Sequence, residues 1–244
     1  MPPEESQGKC RVCGQMFAGS AMSRHLGPCL TKAGSFVVRG KPSIVQDVFH
    51  IRATGCDQLF WMHLLAPVKA TMAELEDVLR RTWLECCGHL SQFHIDHPLF
   101  QEDDPDDFDL DPDMGQNESL KAKLGEVLEA GQEFGYEYDF GSTTELNLKV
   151  IGRHALQVPR KGVSIAARNS PPTLKCAQCG ARATRIATER MDEANPFCCD
   201  RCMKNSEDDE AMFLPITNSP RCGVCAYSGE MDEDQDAYPM MATR

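Results

Sequence analysis

Long apolar runs are missing from this 244-residue sequence, and without about 20 consecutive apolar residues no segment reads as a membrane-spanning helix. Met1 to Lys9 lacks a basic start followed by an apolar run, so no secretory signal and no membrane association are expected, and the expected location is cytoplasmic. Familiar catalytic templates are absent too. There is no HExxH, no P-loop, no Gly-x-Gly-x-x-Gly and no nucleophile elbow, which removes the common hydrolase and nucleotide-binding readings. Basic charge is scarce. A formal net charge of −12 argues against a surface that grips phosphates throughout, because non-specific nucleic-acid affinity comes mainly from Lys and Arg displacing counterions. Calcium is not expected at Asp109, Asp111 and Asp113, since an EF-hand needs a glycine and a glutamate where this run has Met114 and Leu120.

Cysteine, by contrast, is plentiful. The thirteen cysteines are odd in number and mostly arranged in Cys-x2-Cys pairs, which in a reducing compartment suit a metal better than a disulfide framework, with zinc the leading ion. Near the start, Cys10-x2-Cys13 is followed by Phe17, Met22, His25 and Cys29. The pattern resembles a two-Cys two-His zinc finger, in which a β-hairpin knuckle presents two thiolates and a helix presents two further ligands one turn apart. Phe17 and Met22 take the places of its small core. The interval between Cys13 and His25 is one residue short, and the last ligand is Cys instead of His; neither prevents tetrahedral coordination. Gly27-Pro28 is expected to cut the helix short and weaken any DNA-reading face. Charge is uneven: Lys9 to Lys41 holds six basic residues and no acid, whereas Glu102 to Asp113 holds eight acids and no base.

Toward the other end, Cys176-x2-Cys179 and Cys199-x2-Cys202 are separated by nineteen residues, the spacing of a four-cysteine zinc ribbon. Gly180 suits the positive φ of such a knuckle, and Cys198 is the substitute for Cys199. Two zinc ions are therefore expected. Cys222-x2-Cys225 is a possible additional metal pair: it completes a ribbon with another pair, joins a distant histidine such as His154, or stays as free thiols.

Between these modules lies an α+β domain. Val45 to Arg52 and Leu59 to Leu65 read as strands. Thr71 with Glu74 is a capping box, opening a helix that puts Leu75, Val78, Leu79 and Cys86 on one face and stops at Gly88. His89 to Ile95 reads as a strand, Ser119 to Ala130 as a helix, and Phe134 to Phe140 with Glu145 to Ile151 as a hairpin around Gly141. The expected organisation is a finger-like module over 1–33, a central domain over 44–158 with an acidic loop at 101–116, a Cys-rich ribbon-like module over 172–229 and a flexible tail over 230–244.

The helix after Pro67, the His89-Leu90-x-x-Phe93 run and above all Phe134-Gly-Tyr-Glu-Tyr-Asp-Phe-Gly141 resemble the Ri-plasmid open-reading-frame-three-like family, whose members are also labelled transposon TnpR-like passenger proteins. Tyr138, Asp139, Phe140 and Gly141 match its motif, while Ser142 replaces an Asp and Thr144-Glu145-Leu146 stands where a Trp and a His usually follow. Leu214-Pro-Ile-Thr-Asn-Ser-Pro-Arg221 and Gly223-Val-Cys225 look like a segment often found after this domain. The resemblance implies a compact α+β fold with a mostly antiparallel sheet and no particular mechanism. No serine-recombinase constellation is present, and Asp-Phe-Gly at 139–141 lacks the other protein-kinase motifs.

Two functional readings follow. In one, the chain is a non-enzymatic interaction or regulatory protein whose zinc modules present surfaces, to a protein partner rather than to nucleic acid. In the other, the central domain is an enzyme of unrecognised type acting on nucleic acid or a nucleotide, with Asp139 and the His89 to His97 region at its site and a concave pocket expected where Asp139, Glu145 or His89 converge. His89, His94, Asp96 and His97, near Cys86 and Cys87, are the best candidates for a catalytic or metal cluster, but His89 and His94 on one strand point to opposite faces and do not easily converge.

Overall fold

A computed structural model describes residues 6–56, 58–97, 100 and 119–229. The expected acidic loop 101–116 and the tail 230–244 lie outside the described residues. Among the described residues, eleven strands form two antiparallel sheets. The large one runs β2-β1-β8-β4-β3-β7-β6-β5 and the small one β10-β9-β11, with β1 Gln7–Cys10, β2 Met16–Ala18, β3 Ser43–Gly55, β4 Phe60–Pro67, β5 Ser91–His94, β6 Glu133–Tyr138, β7 Thr144–Pro159, β8 Ser164–Asn169, β9 Arg185–Ala187, β10 Phe197–Cys198 and β11 Phe213–Pro215. The fold is α+β, with Cys/His clusters in the N- and C-terminal regions.

Strand β4 is buried along its whole length, and its period-2 alternation sorts its side chains between two cores. Phe60, Met62, Leu64 and Ala66 face a core completed by helix α2, Met72–Leu79, through Met72, Leu75, Val78 and Leu79. Trp61 and Leu65 face the other core, completed by helix α1, Gly19–Ala33, through Met22, Leu26 and Leu30. Those three lie four residues apart and form one apolar stripe. Strand β7 changes sides along its length. Leu146, Leu148 and Val150 join the α2 core, whereas Leu156 and Val158 farther along join the α1 core. The switch is a one-residue bulge: Ile51 pairs with Val150 but His50 with Gly152, so Ile151 is extra and every later side chain flips face.

Several local expectations need correction. Helix α1 runs through Pro28 instead of stopping there. Pro28 is solvent-exposed, and the apolar stripe on the opposite face holds the helix together across the missing amide bond. Left-handed Gly34 (φ 65°) ends the helix by donating to the Leu30 carbonyl. The capping box of Thr71 and Glu74 is present, but α2 passes into a wide turn at Arg80–Leu84 and ends there, leaving Cys86 in a loop. Strand β5 is shorter than His89 to Ile95, so His89 stands outside it. The helix expected over Ser119 to Ala130 is broken: residues 119–121 are helical, and after an interruption at 122–123 only the turn α3, Leu124–Val127, follows. Its backbone bonds outward: Met72 N–H donates to Ala122 O at 2.9 Å, Leu124 N–H to Ala70 O at 2.8 Å and Gly125 N–H to Val68 O at 2.8 Å. The expected hairpin forms, with its second strand β7 continuing to Pro159.

Candidate metal centres

All thirteen cysteines are unbridged. Among the described residues, three groups of four side chains each bring their ligand atoms within 4.8 Å of one another: Cys10, Cys13, His25 and Cys29; Cys176, Cys179, Cys199 and Cys202; and Cys86, Cys87, His89 and Cys225. Each group could hold a metal ion.

The first group is assembled by β1, β2 and α1. Cys10 ends β1, and Cys13 sits in the turn, where Gly14 (φ 78°) donates its amide to the Cys10 carbonyl at 2.8 Å. His25 and Cys29, four residues apart on α1, stand one above the other, as helical spacing dictates. Cys13 Sγ and His25 Nε2 are 3.3 Å apart. The Phe17 ring stacks on His25 with centroids 4.0 Å apart, and Met22 is fully buried. Burial pushes the Cys29 thiol up to about 12, with Cys10 and Cys13 adding to the effect. Strand β1 also pairs with β8, so the group is an outgrowth of the large sheet. Trp61 clasps this junction: its Nε1 donates to Ser6 O at 3.1 Å, and Gly8 and Gly19 are bare where a Cβ would meet its ring.

In the second group, Gly180 (φ 70°) repeats the role of Gly14 by donating to the Cys176 carbonyl at 2.9 Å. Cys199 caps helix α4, Asp200–Lys204, and Cys202 lies inside it. Cys179 and Cys199 sulfurs are 3.7 Å apart, close to the roughly 3.8 Å edge of a tetrahedron with 2.3 Å metal–sulfur bonds. Although burial alone would raise it, backbone amides around Cys176 bring its thiol down to about 6. The hydrogen bond from Cys179 holds Cys202 up at about 12. Cys198 is not one of the four: its sulfur lies against the Cys199 carbonyl at 3.4 Å and beside the Cys176 sulfur, and burial pushes its thiol up to about 11. The apolar surroundings amount to little more than Ala187, Met203 and Phe213.

The pair Cys222 and Cys225 is split. Cys222 sits against the Thr217 amide at 3.4 Å and the Pro215 carbonyl at 3.9 Å. Cys225 meets Cys87 at 3.8 Å and His89 Nε2 at 3.3 Å, not His154. Sequence reasoning noticed Cys86, Cys87 and His89 but did not join them to Cys225. The signal was the resemblance of the 214–225 segment to one that accompanies the domain, a hint of contact.

The Tyr138-Asp139-Phe140-Gly141 motif lies beside this third group. The Tyr138 hydroxyl accepts from the Cys86 and His89 amides at 3.4 and 3.3 Å and donates to Glu85 at 3.1 Å. Asp139 takes a left-handed φ of 67°, stabilised by its own carboxylate accepting from the Gly141 and Ser142 amides at 3.2 and 3.3 Å. Its second oxygen accepts from Arg221 Nη2 at 2.5 Å, and that bond holds its carboxyl below the usual range. Phe140 is half exposed. Glu145 pairs across the hairpin with Glu137, away from Asp139, and His94 pairs with Glu137 at 3.2 Å.

These features define an α+β protein with Cys/His groups able to hold metal. The profile of the family described as Plasmid pRiA4b ORF-3-like protein matches residues 47–182, and the chain belongs to that family. No curated protein matches. Among solved structures, a protein of unknown function from Methanosarcina mazei Go1 is similar at 18% identity, over 51% of this chain and 70% of that one, with a TM-score of 0.37. The first group lies wholly outside the family match, and the third takes three residues from inside it and Cys225 from outside.

Proposed function

We propose that this chain is a non-enzymatic zinc-binding interaction or regulatory protein, with a finger-like zinc module over 1–33 and a ribbon-like one over 172–229 flanking the family core. The observation that carries this reading is the completeness of the terminal groups. Each offers four protein ligand atoms at mutual contact, so zinc held there keeps no position for water or substrate, which is how structural sites differ from catalytic ones. Donor sets of three thiolates with one imidazole, or of four thiolates, favour zinc over harder cations. The apolar core around Cys176 to Cys202 is too small to fold alone, so zinc there supplies folding energy. Asp139, the best candidate for a catalytic base, is neutralised by Arg221 and spoken for by two amides.

A protein is favoured over nucleic acid as the partner. The exposed side of α1, where a DNA-reading finger would carry its contacts, presents Ser20, Arg24, Pro28, Thr31 and Lys32, only two of them basic, on a chain of net charge −12. Elemental mass spectrometry of the native protein, with its ultraviolet absorbance ratio, tests both points. At least two zinc ions per chain and no co-purifying nucleic acid are expected; one zinc or none, or bound nucleic acid, contradicts the proposal.

A further inference from the structure

We propose that Cys86, Cys87, His89 and Cys225 form a third zinc site, one that ties the C-terminal segment to the family core and is oriented by the family motif. It goes beyond the two terminal modules and stands on separate observations.

The ligand set is chemically complete. Three sulfurs and one imidazole nitrogen lie within 4.8 Å of one another. Cys87 and Cys225 are 3.8 Å apart, a tetrahedral edge for zinc–sulfur bonds of about 2.3 Å and far beyond the roughly 2.05 Å of a disulfide. Cys225 reaches the group with a left-handed backbone (φ 50°), followed by Ala226 at φ 53°. Two consecutive non-glycine residues in that region cost energy that something must offset, and four coordinate bonds do so.

The surroundings match what a metal-bound histidine needs. A ligating imidazole characteristically presents its other nitrogen to a carboxylate, which fixes the ring and raises its basicity. His89 points Nε2 at Cys225 and Nδ1 at Asp139 Oδ1, 3.6 Å away. Asp139 is held in turn by Arg221, which is fully buried and spends its remaining donors on the Ser142 carbonyl at 3.1 Å, Thr144 Oγ1 at 3.0 Å and Cys86 Sγ at 3.3 Å. One guanidinium thus supports both the carboxylate behind the histidine and a ligand sulfur, and its charge compensates the excess negative charge of three thiolates on a divalent ion. Tyr138, by gathering the Cys86 and His89 amides, sets the shape of the loop that carries three of the ligands. Through this arrangement the Tyr138-Asp139 motif acquires a physical role, that of a positioning unit for the metal loop.

The tie has a mechanical consequence. Segment 216–225 is anchored to the core by Asn218 with Asn169 at 2.7 Å, by Arg168 donating to Asn218 O at 2.6 Å, by Ser219 donating to the Trp83 carbonyl and by Arg221. Zinc at Cys225 closes the end of that anchor.

The test is the zinc content of the purified full chain and of two variants, Cys225→Ser and Cys222→Ser, with circular dichroism to confirm folding. Three zinc ions are expected for the wild type and for Cys222→Ser, whose sulfur lies outside the group, and two for Cys225→Ser. Two zinc ions in all three proteins, or a Cys87–Cys225 disulfide in the wild type, overturn the site while leaving the two terminal modules standing; one ion or none fails those modules instead. If Cys225→Ser does not fold, cobalt(II) titration of the metal-stripped wild type decides: saturation at three equivalents supports the site, and at two overturns it.

Discussion

Arg221 is fully buried and carries a full charge, an arrangement tolerated only because its donors meet Asp139, Ser142, Thr144 and Cys86. Asp139 occupies the centre of this network. Replacing it with Asn keeps its shape but removes the charge that orients His89, and second-sphere losses of this kind typically weaken metal binding by about 10- to 100-fold. Competition with a chromophoric chelator is expected to show that drop for one ion of three in Asp139→Asn; equal affinity to wild type contradicts the positioning role. A second residue-scale feature is the fully buried pair His50 and His63, joined at 2.7 Å between β3 and β4, with Ser23 of α1 at 3.5 Å from His63 and His154 of β7 alongside. Burial, then the charge of His154, pushes His50 down to about 4. Burial, His50 and Arg52 push His63 well below its ordinary value. A depressed folded value means that the unfolded chain binds the proton first. Stability from the neutral rings is therefore intact above the ordinary value of 6.5 and falls as the pH drops toward 4, by about 2 kcal/mol for His50 alone at pH 5. Imidazole NMR titration is expected to show no His50 midpoint above pH 5; a midpoint near 6.5 contradicts the burial argument.

At the scale of elements, the legible parts were those with a local signature. The capping box at Thr71, the finger spacing from Cys10 to Cys29 and the ribbon spacing from Cys176 to Cys202 declare themselves in short stretches of sequence. What escaped depends on distant partners. The Ser119 to Ala130 periodicity is helical, but the backbone of Ala122, Leu124 and Gly125 bonds to residues 68–72, so only short turns close within the segment. The third group joins residues 86–89 to 225, a separation no spacing rule covers. Pro28 failed as a helix breaker because burial of Met22, Leu26 and Leu30 outweighs one lost hydrogen bond. Its cost persists, however. A helix-interior proline costs about 3 kcal/mol, offset by up to about 1 kcal/mol from its restriction of the unfolded chain. Pro28→Ala is therefore expected to stabilise the protein by about 2 kcal/mol in chemical denaturation with zinc present; a loss of stability would show that the proline is required to aim His25 and Cys29.

For the whole molecule, the large sheet provides the frame, and zinc in the Cys/His groups, on the proposed reading, would fasten further segments to it. The first group gathers residues of β1 and α1, the second stands where the small sheet has little core, and the third brings residues 86–89 to residue 225. Among the described residues no helix is long and apolar enough to cross a membrane. The two groups expected from spacing account for eight candidate ligands, and the third group adds four more. X-ray absorption at the zinc edge of the native full-length protein tests the central claim most directly. Closed sites built from these groups predict ten sulfur and two nitrogen ligands for every three zinc ions, with no oxygen in the shell. A shell containing oxygen, or one poor in sulfur, would mean an open coordination position and contradict the non-enzymatic reading.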